Sequence, residues 1–129
     1  MRYLLDTHVF LWLASEPRRL GSDLAVLEDT LNELSLSAVS AWEIAIKHDL
    51  GRLPLPESPE RFVPSRMAAF SVRAQPMLHE HALAVSHLPR LHRDPFDRLL
   101  VAQAVALELT IVTTDRVLAR YPVATLLVG

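Results

Sequence analysis

Four carboxylates in this chain sit where an apolar, strand-like run gives way to a helix-like one, or within the first turn of that helix: Asp6, Glu43, Asp97 and Asp115. If the preceding strands are parallel, all four land on one rim, because the helices of such sheets begin in the crevice beyond the strands' carboxyl ends. Each acid alone has a structural explanation. Ser40-Ala41-Trp42-Glu43 is a capping-box pattern, and Glu43 is also spaced to pair with Lys47 four residues on. Asp94-Pro95-Phe96-Asp97 offers a helix cap, proline at the first helical position and an acid favoured by the helix dipole. Asp6 and Asp115 can each cap the helix that follows. Capping accounts for one acid per helix and leaves a converging group unexplained. Four ionised carboxylates about 5 Å apart repel by ~3 kcal/mol per pair at an effective dielectric of about 20, on the order of 20 kcal/mol in all. A divalent cation removes that penalty. Mg²⁺ or Mn²⁺ suits oxygen ligands, polarises a phosphodiester and activates water for attack.

Positioning such a group requires alternating elements. Tyr3–Leu5 reads as a short buried strand ending at Asp6, followed by a helix over 9–14 that Pro17 stops. A second helix is expected over 22–33, with Leu24, Leu27 and Leu31 on one stripe. Leu34–Ala38 is a second strand, after which Ser40 opens a helix with an apolar stripe of Trp42, Ala45, Ile46 and Leu50 and a glycine stop at Gly51. The proline-rich run 54–59 is a loop and 60–70 a helix. A poor strand over 73–77 is weakened by Pro76 and suits a short or edge position, and 79–88 is helical. Pro95 begins a helix that is apolar almost all round and therefore central. Thr110–Thr113 is a β-branched strand, 116–120 a short helix and Ala124–Val128 a last strand. The alternation predicts an α/β sandwich with a mainly parallel sheet.

At 129 residues the chain is expected to form one domain, residues 1–129, burying roughly two-thirds of its unfolded surface. Half the residues are hydrophobic and the formal net charge is -2, so a whole-surface basic field for nucleic acid is excluded. A polyanion would have to meet a local cluster or a metal ion. The absence of cysteine rules out disulfides and thiolate metal sites and fits a reducing, cytoplasmic compartment. Asp6 and His8 interrupt the apolar N-terminal run, no small-x-small cleavage site stands out, and no run approaches the length of a membrane span.

Arg90, Arg93, Arg98, Arg116 and Arg120 lie near the acidic pieces in sequence and could receive phosphates; taken singly, each reads first as a solvated helix or loop charge. His79, His81, His87 and His92 invite zinc, but the spacing is not that of a zinc helix and thiolates are absent. His8 could line the crevice or be a hydrogen-bonded structural histidine. Trp12 and Trp42 could stack bases, yet their places on apolar stripes predict core packing.

The chain resembles the PIN-domain ribonucleases, particularly the VapC-type toxins of bacterial toxin–antitoxin pairs. The matching pieces are Leu4-Leu5-Asp6-Thr7-His8, Ser37-Ala38-Val39-Ser40-Ala41-Trp42-Glu43-Ile44, His92-Arg93-Asp94-Pro95-Phe96-Asp97-Arg98-Leu99-Leu100-Val101-Ala102 and Ile111-Val112-Thr113-Thr114-Asp115. They follow the family's order across nearly the whole domain. The resemblance implies a three-layer α/β/α sandwich and Mg²⁺- or Mn²⁺-dependent endonucleolytic cleavage of RNA by metal-activated water. It casts Asp6, Glu43, Asp97 and Asp115 as catalytic acids and metal ligands, with Asp6 and Asp97 in direct contact with the cation. Glu43 would hold a second metal or position water, Asp115 would complete the ligand shell, and Thr7 and Thr113 would support it with their hydroxyls. Asp94 is an extra acid open to capping or to metal chemistry, and Arg93, Arg98 and Arg116 are the phosphate-binding candidates. The resemblance also implies a cognate antitoxin, a homodimer and a higher toxin–antitoxin assembly, with Val26, Leu31 and Leu34 as one possible docking stripe.

Two rivals come from other classes. A phospho-acceptor receiver domain needs a lysine near the end of a late strand, whereas the one lysine here is Lys47, inside the Glu43 helix. A catalytically silent PIN-like binding module would keep the fold without turnover, and the four intact acids argue against it.

Overall fold

Five short strands set the centre of the molecule. In the computed structural model, which describes residues 1–129, β1 (Arg2–Leu5), β2 (Glu33–Ser37), β3 (Val72–Gln75), β4 (Thr110–Thr113) and β5 (Thr125–Leu127) form one sheet in the order β3-β2-β1-β4-β5. Every neighbouring pair is parallel, and β1 is central, with Tyr3 opposite Leu34 on one side and Thr110 on the other. All strands therefore end on one edge. Six helices accompany them: α1 (Thr7–Ser15), α2 (Leu24–Glu28), α3 (Ala38–Asp49), α4 (Pro59–Ala69), α5 (His79–Leu83) and α6 (Pro95–Leu107), with 3-10 turns at Pro17–Asp23, Ala84–His87 and Leu118–Arg120.

The twofold alternation of β side chains divides the core. Tyr3 and Leu5 join Val9, Phe10, Leu13, Leu34, Leu36 and Phe62 on one face, where α1 and α4 cover the sheet. Leu4 joins Leu100, Val101, Ala104, Ile111 and Leu118 on the other, beneath α6. The result is a three-layer α/β/α sandwich. β3 is short and lies at the sheet edge, as Pro76 suggested, and Gly51 takes the left-handed conformation after α3 at φ 71°.

Several sequence expectations give way. The helix expected over 22–33 contracts to α2: Gly21 at φ 57° breaks the chain before it, and beyond it the Asp29 carboxylate accepts from Leu31 N–H to turn the chain into β2. Leu31 is 86% exposed while Leu34 is buried in β2, so Val26, Leu31 and Leu34 share no stripe. α3 begins two residues before Ser40, because Ser37 supplies the cap through Val39 N–H at 3.1 Å. Its buried side is consequently Val39, Ser40, Glu43 and Ile44, and Trp42, Ala45 and Leu50 of the expected stripe are exposed. The segment over 79–88 splits into α5 and a 3-10 turn, the short helix after Asp115 is a 3-10 turn, and β5 is shorter than expected. α6 buries Leu100 to Ala104 but exposes Val105, so it is not enclosed all round.

Candidate active site

The parallel sheet delivers the acids to its carboxyl edge through four separate elements. Asp6 follows the last residue of β1 in extended backbone and caps α1, its Oδ1 accepting from Val9 N–H at 2.8 Å. Its Oδ2 accepts the Thr113 hydroxyl from the end of β4, a contact between residues 107 apart in sequence. Thr113 Oγ1 also accepts from Asp115 N–H at 3.0 Å, so one hydroxyl fixes two of the acids. Asp115 further accepts from Val117 N–H at 2.8 Å, holding the turn after β4.

Glu43 lies on the buried side of α3, only 4% exposed, which the Ser40 capping box cannot explain. The Thr7 hydroxyl donates to Glu43 Oε1 at 2.6 Å and lies 3.0 Å from Ser40 Oγ, tying α1 to α3. Glu43 Oε2 is paired with the half-buried ammonium of Lys47 one turn along. The i,i+4 spacing thus serves to charge-balance a buried carboxylate. Asp97 stands in the first turn of α6. Asp94 is the cap, accepting from Phe96 N–H at 2.9 Å and Asp97 N–H at 3.3 Å.

His92 joins the remaining acids. Its Nε2 is 2.8 Å from Asp115 Oδ2 and 3.4 Å from Asp97 Oδ2. Asp94 N–H donates to His92 Nδ1 at 3.3 Å, which orients the ring with Nε2 toward Asp115. Sequence reasoning grouped His92 with His79, His81 and His87, but these do not converge. His79 and His87 are exposed, and His81 is buried against Leu78 N–H and Gln103. The signal for His92 was its place two residues before the Asp94 cap, where the chain turns back over the sheet edge.

The electrostatics record the crowding of negative charge. Burial, then the charges of Asp94, Glu43 and Asp6, push the Asp97 carboxyl up to about 7 against the pull of His92. Burial also raises Asp6, opposed by the Thr113 and Val9 hydrogen bonds and by His8, while Glu43 adds to the rise. At Asp115 burial acts upward too, but hydrogen bonds from His92 and Val117 with the charges of His92 and His8 bring it below the usual carboxylate range. His8, which acts on both Asp6 and Asp115, is exposed.

One ligand atom each from His92, Asp97 and Asp115 lies within 4.8 Å of the others, with Asp6 and Glu43 acting on the same field. An oxygen-rich set that retains a proton to about neutrality for want of positive charge fits a hard divalent cation. The arginines divide. Arg98 spends its guanidinium on the carbonyls of Pro89 and Val85 and on the Tyr121 hydroxyl, a strap that holds the preceding loop to α6. Arg93 and Arg116 are exposed and make no ion pair. Trp12 is half-buried against the first core and stacked by Arg19, whereas Trp42, expected in the core, is 57% exposed.

Comparison with known proteins places the fold and the family. The chain is 31% identical over 114 residues to "Ribonuclease VapC22" of Mycobacterium tuberculosis, spanning 88% of this chain and 86% of that protein. It is 44% identical over 57 residues to "Ribonuclease VapC16" of the same organism, a match that spans only 40% of that relative's length. Similar solved structures include VapBC2 from Rickettsia felis bound to a promoter DNA fragment, at TM-score 0.73 and 17% identity over the whole of both chains. DNA-bound VapBC from Salmonella typhimurium follows at TM-score 0.68 and 14% identity, covering 98% of this chain and 97% of that one. These two show the shared fold. The profile of the PIN domain matches residues 3–124, and the chain belongs to the PIN-domain family.

Proposed function

We propose that this chain is a divalent-metal-dependent endoribonuclease and the toxin of a toxin–antitoxin pair. The observation that carries the reading is the convergence of Asp6, Glu43 and Asp97 in one electrostatic field, recorded in the raised Asp97 carboxyl. The ribonuclease names of both mycobacterial relatives support the choice of RNA. Asp6 and Asp97 would hold Mg²⁺ or Mn²⁺, with Glu43 and Asp115 completing the site. When bound, the cation would activate water and screen charge on the phosphodiester.

The chain's own residues prepare that chemistry. Thr113 and Val9 N–H fix both oxygens of Asp6, so its position owes nothing to substrate. Thr7 and Lys47 do the same for Glu43, which would then be oriented to direct the attacking water. Hydrolysis breaks one phosphorus–oxygen bond and forms another to the water oxygen; the water proton passes to a carboxylate, the departing ribose oxygen takes up a proton from solvent, and no protein nucleophile is needed. His92 steadies Asp115 and Asp97 against each other. Arg93 and Arg116 would meet phosphates flanking the cut.

The acidic crevice and the toxin–antitoxin likeness suggest a partner that inhibits with an arginine, within an assembly of toxin dimers. The purified protein should cleave RNA with Mg²⁺ or Mn²⁺ and lose cleavage on chelation, and Asp97→Asn should be inactive while folded. Equal cleavage by the wild type and Asp97→Asn would overturn the assignment.

A further inference from the structure

Trp42 belongs to neither hydrophobic core, and its indole is more than half exposed. It is one residue before Glu43 on α3. Its ring meets Phe96 edge-on, with centroids 5.3 Å apart and planes at 67°, and Phe96 is one residue before Asp97 on α6. Phe96 leans on the second core, so the indole rests on a rigid support. Two aromatic rings thus bridge the beginnings of the two helices that carry the site's inner acids.

The surroundings indicate what such a ledge would take. α6 packs against α3 and, separately, against α5 and the 3-10 turn Ala84–His87. On that second side a cleft of about 940 Å³ is lined by Arg90, Arg93 and His92 among others, reaching the histidine that touches Asp97 and Asp115. Arg90 and Arg93 are exposed there without an acidic partner. The start of α6 thus carries Asp97 with the aromatic pair toward α3 and, toward the 3-10 turn, a cleft whose cations can take phosphates, while an aromatic face can take a base. Stacking on an aromatic face tolerates every base, as cleavage of a single strand requires.

We infer that the Trp42–Phe96 pair is a stacking ledge for an unpaired nucleobase of single-stranded RNA next to the scissile phosphate. This rests on the ribonuclease reading above. The test uses the full chain carrying Asp97→Asn, so that RNA is bound and not consumed, and Trp12→Phe, so that Trp42 is the one source of indole emission. The probe is a mixed-sequence single-stranded oligoribonucleotide.

Binding should quench Trp42 emission, and a duplex of the same length should not. Adding Trp42→Ala should weaken binding roughly 5- to 150-fold, the range for one stacked base, with Trp42→Phe retaining most of the affinity. The dependence of affinity on salt should stay unchanged, because stacking releases no counterions. Because Trp42 is outside both cores, the thermal midpoint should be preserved. An RNA bound equally well by Trp42→Ala, or bound without quenching, would overturn the ledge while leaving the ribonuclease reading standing. Loss of antitoxin binding in Trp42→Ala with RNA affinity intact would assign the ring to the protein partner instead and overturn it likewise. Absence of both RNA binding and wild-type cleavage would remove the ribonuclease reading and the ledge together.

Discussion

Replacing Asp97 by Asn should inactivate the protein and stabilise it, provided no metal is present. The Asp97 carboxyl is held at about 7 by burial and by Asp94, Glu43 and Asp6, against 3.8 in the unfolded chain. A difference of that size corresponds to on the order of 4 kcal/mol between the two protonation states. The sign follows from proton counting. Between pH 4 and 7 the native protein binds a proton at Asp97 that the unfolded chain releases, so stability falls as pH rises and levels off above about 7. Asparagine keeps the shape without the titration. Thermal unfolding of the metal-free proteins should therefore show a gap in favour of Asp97→Asn that opens above pH 4 and reaches about 2–4 kcal/mol near pH 8.5. At about 3–5 °C per kcal/mol for a domain of this size, this is a rise of roughly 6–20 °C. Mg²⁺ at pH 8.5 should raise the wild-type midpoint and leave the variant almost unmoved, closing the gap. A variant less stable than the wild type at pH 8.5, or a gap that does not change with pH, would refute the account of the site as a cluster short of positive charge.

Other perturbations separate the supports from the acids. Thr113→Val keeps the volume but removes the donor to Asp6 and the acceptor for Asp115 N–H, so urea unfolding should show a loss of about 1–3 kcal/mol together with loss of cleavage. Lys47→Met leaves Glu43 buried without its cation; a loss of about 1–3 kcal/mol is expected, discounted for the half-exposed ammonium, and Glu43→Gln in the same chain should restore most of it. Asp115 is held below the usual range partly by His92, so it contributes stability above the unfolded value that is lost as pH falls through the folded one. His92→Phe should reduce that acid-side loss in pH-dependent unfolding, and an unchanged acid limb would count against the His92 contact. If Arg93 and Arg116 meet phosphates, the pair Arg93→Gln and Arg116→Gln should reduce the salt slope of RNA binding by up to about 2, whereas Arg98→Gln should chiefly lower stability.

Much of this was legible in the chain because parallel strands have short, β-branched or apolar signatures. Thr110–Thr113 matched β4 residue for residue, and the Asp94-Pro95 cap marked the start of α6. α3 was harder. Ser37 and Ser40 are both good caps, and the choice between them rotates the helix face, so the wrong cap placed Trp42 inside and left Glu43 looking like a capping residue. The actual cap became visible only when β2 ended at Ser37. α2 failed because an apolar stripe does not reveal that Gly21 and the Asp29 turn interrupt the chain on both sides. His92 was hidden for another reason: its contact with Asp115 crosses 23 residues and depends on how a loop folds over the sheet edge.

The central place of β1 governs when the site can assemble as the chain is made. Asp6 leaves the ribosome 107 residues ahead of Thr113, and until Thr113 emerges its Oδ2 lacks the hydroxyl that fixes it. β1 cannot be flanked on both sides until β4 pairs with it. A long-range closure of this kind is slow relative to helix formation. The growing chain therefore carries its acids apart, and the crevice they share is assembled only after synthesis has passed β4.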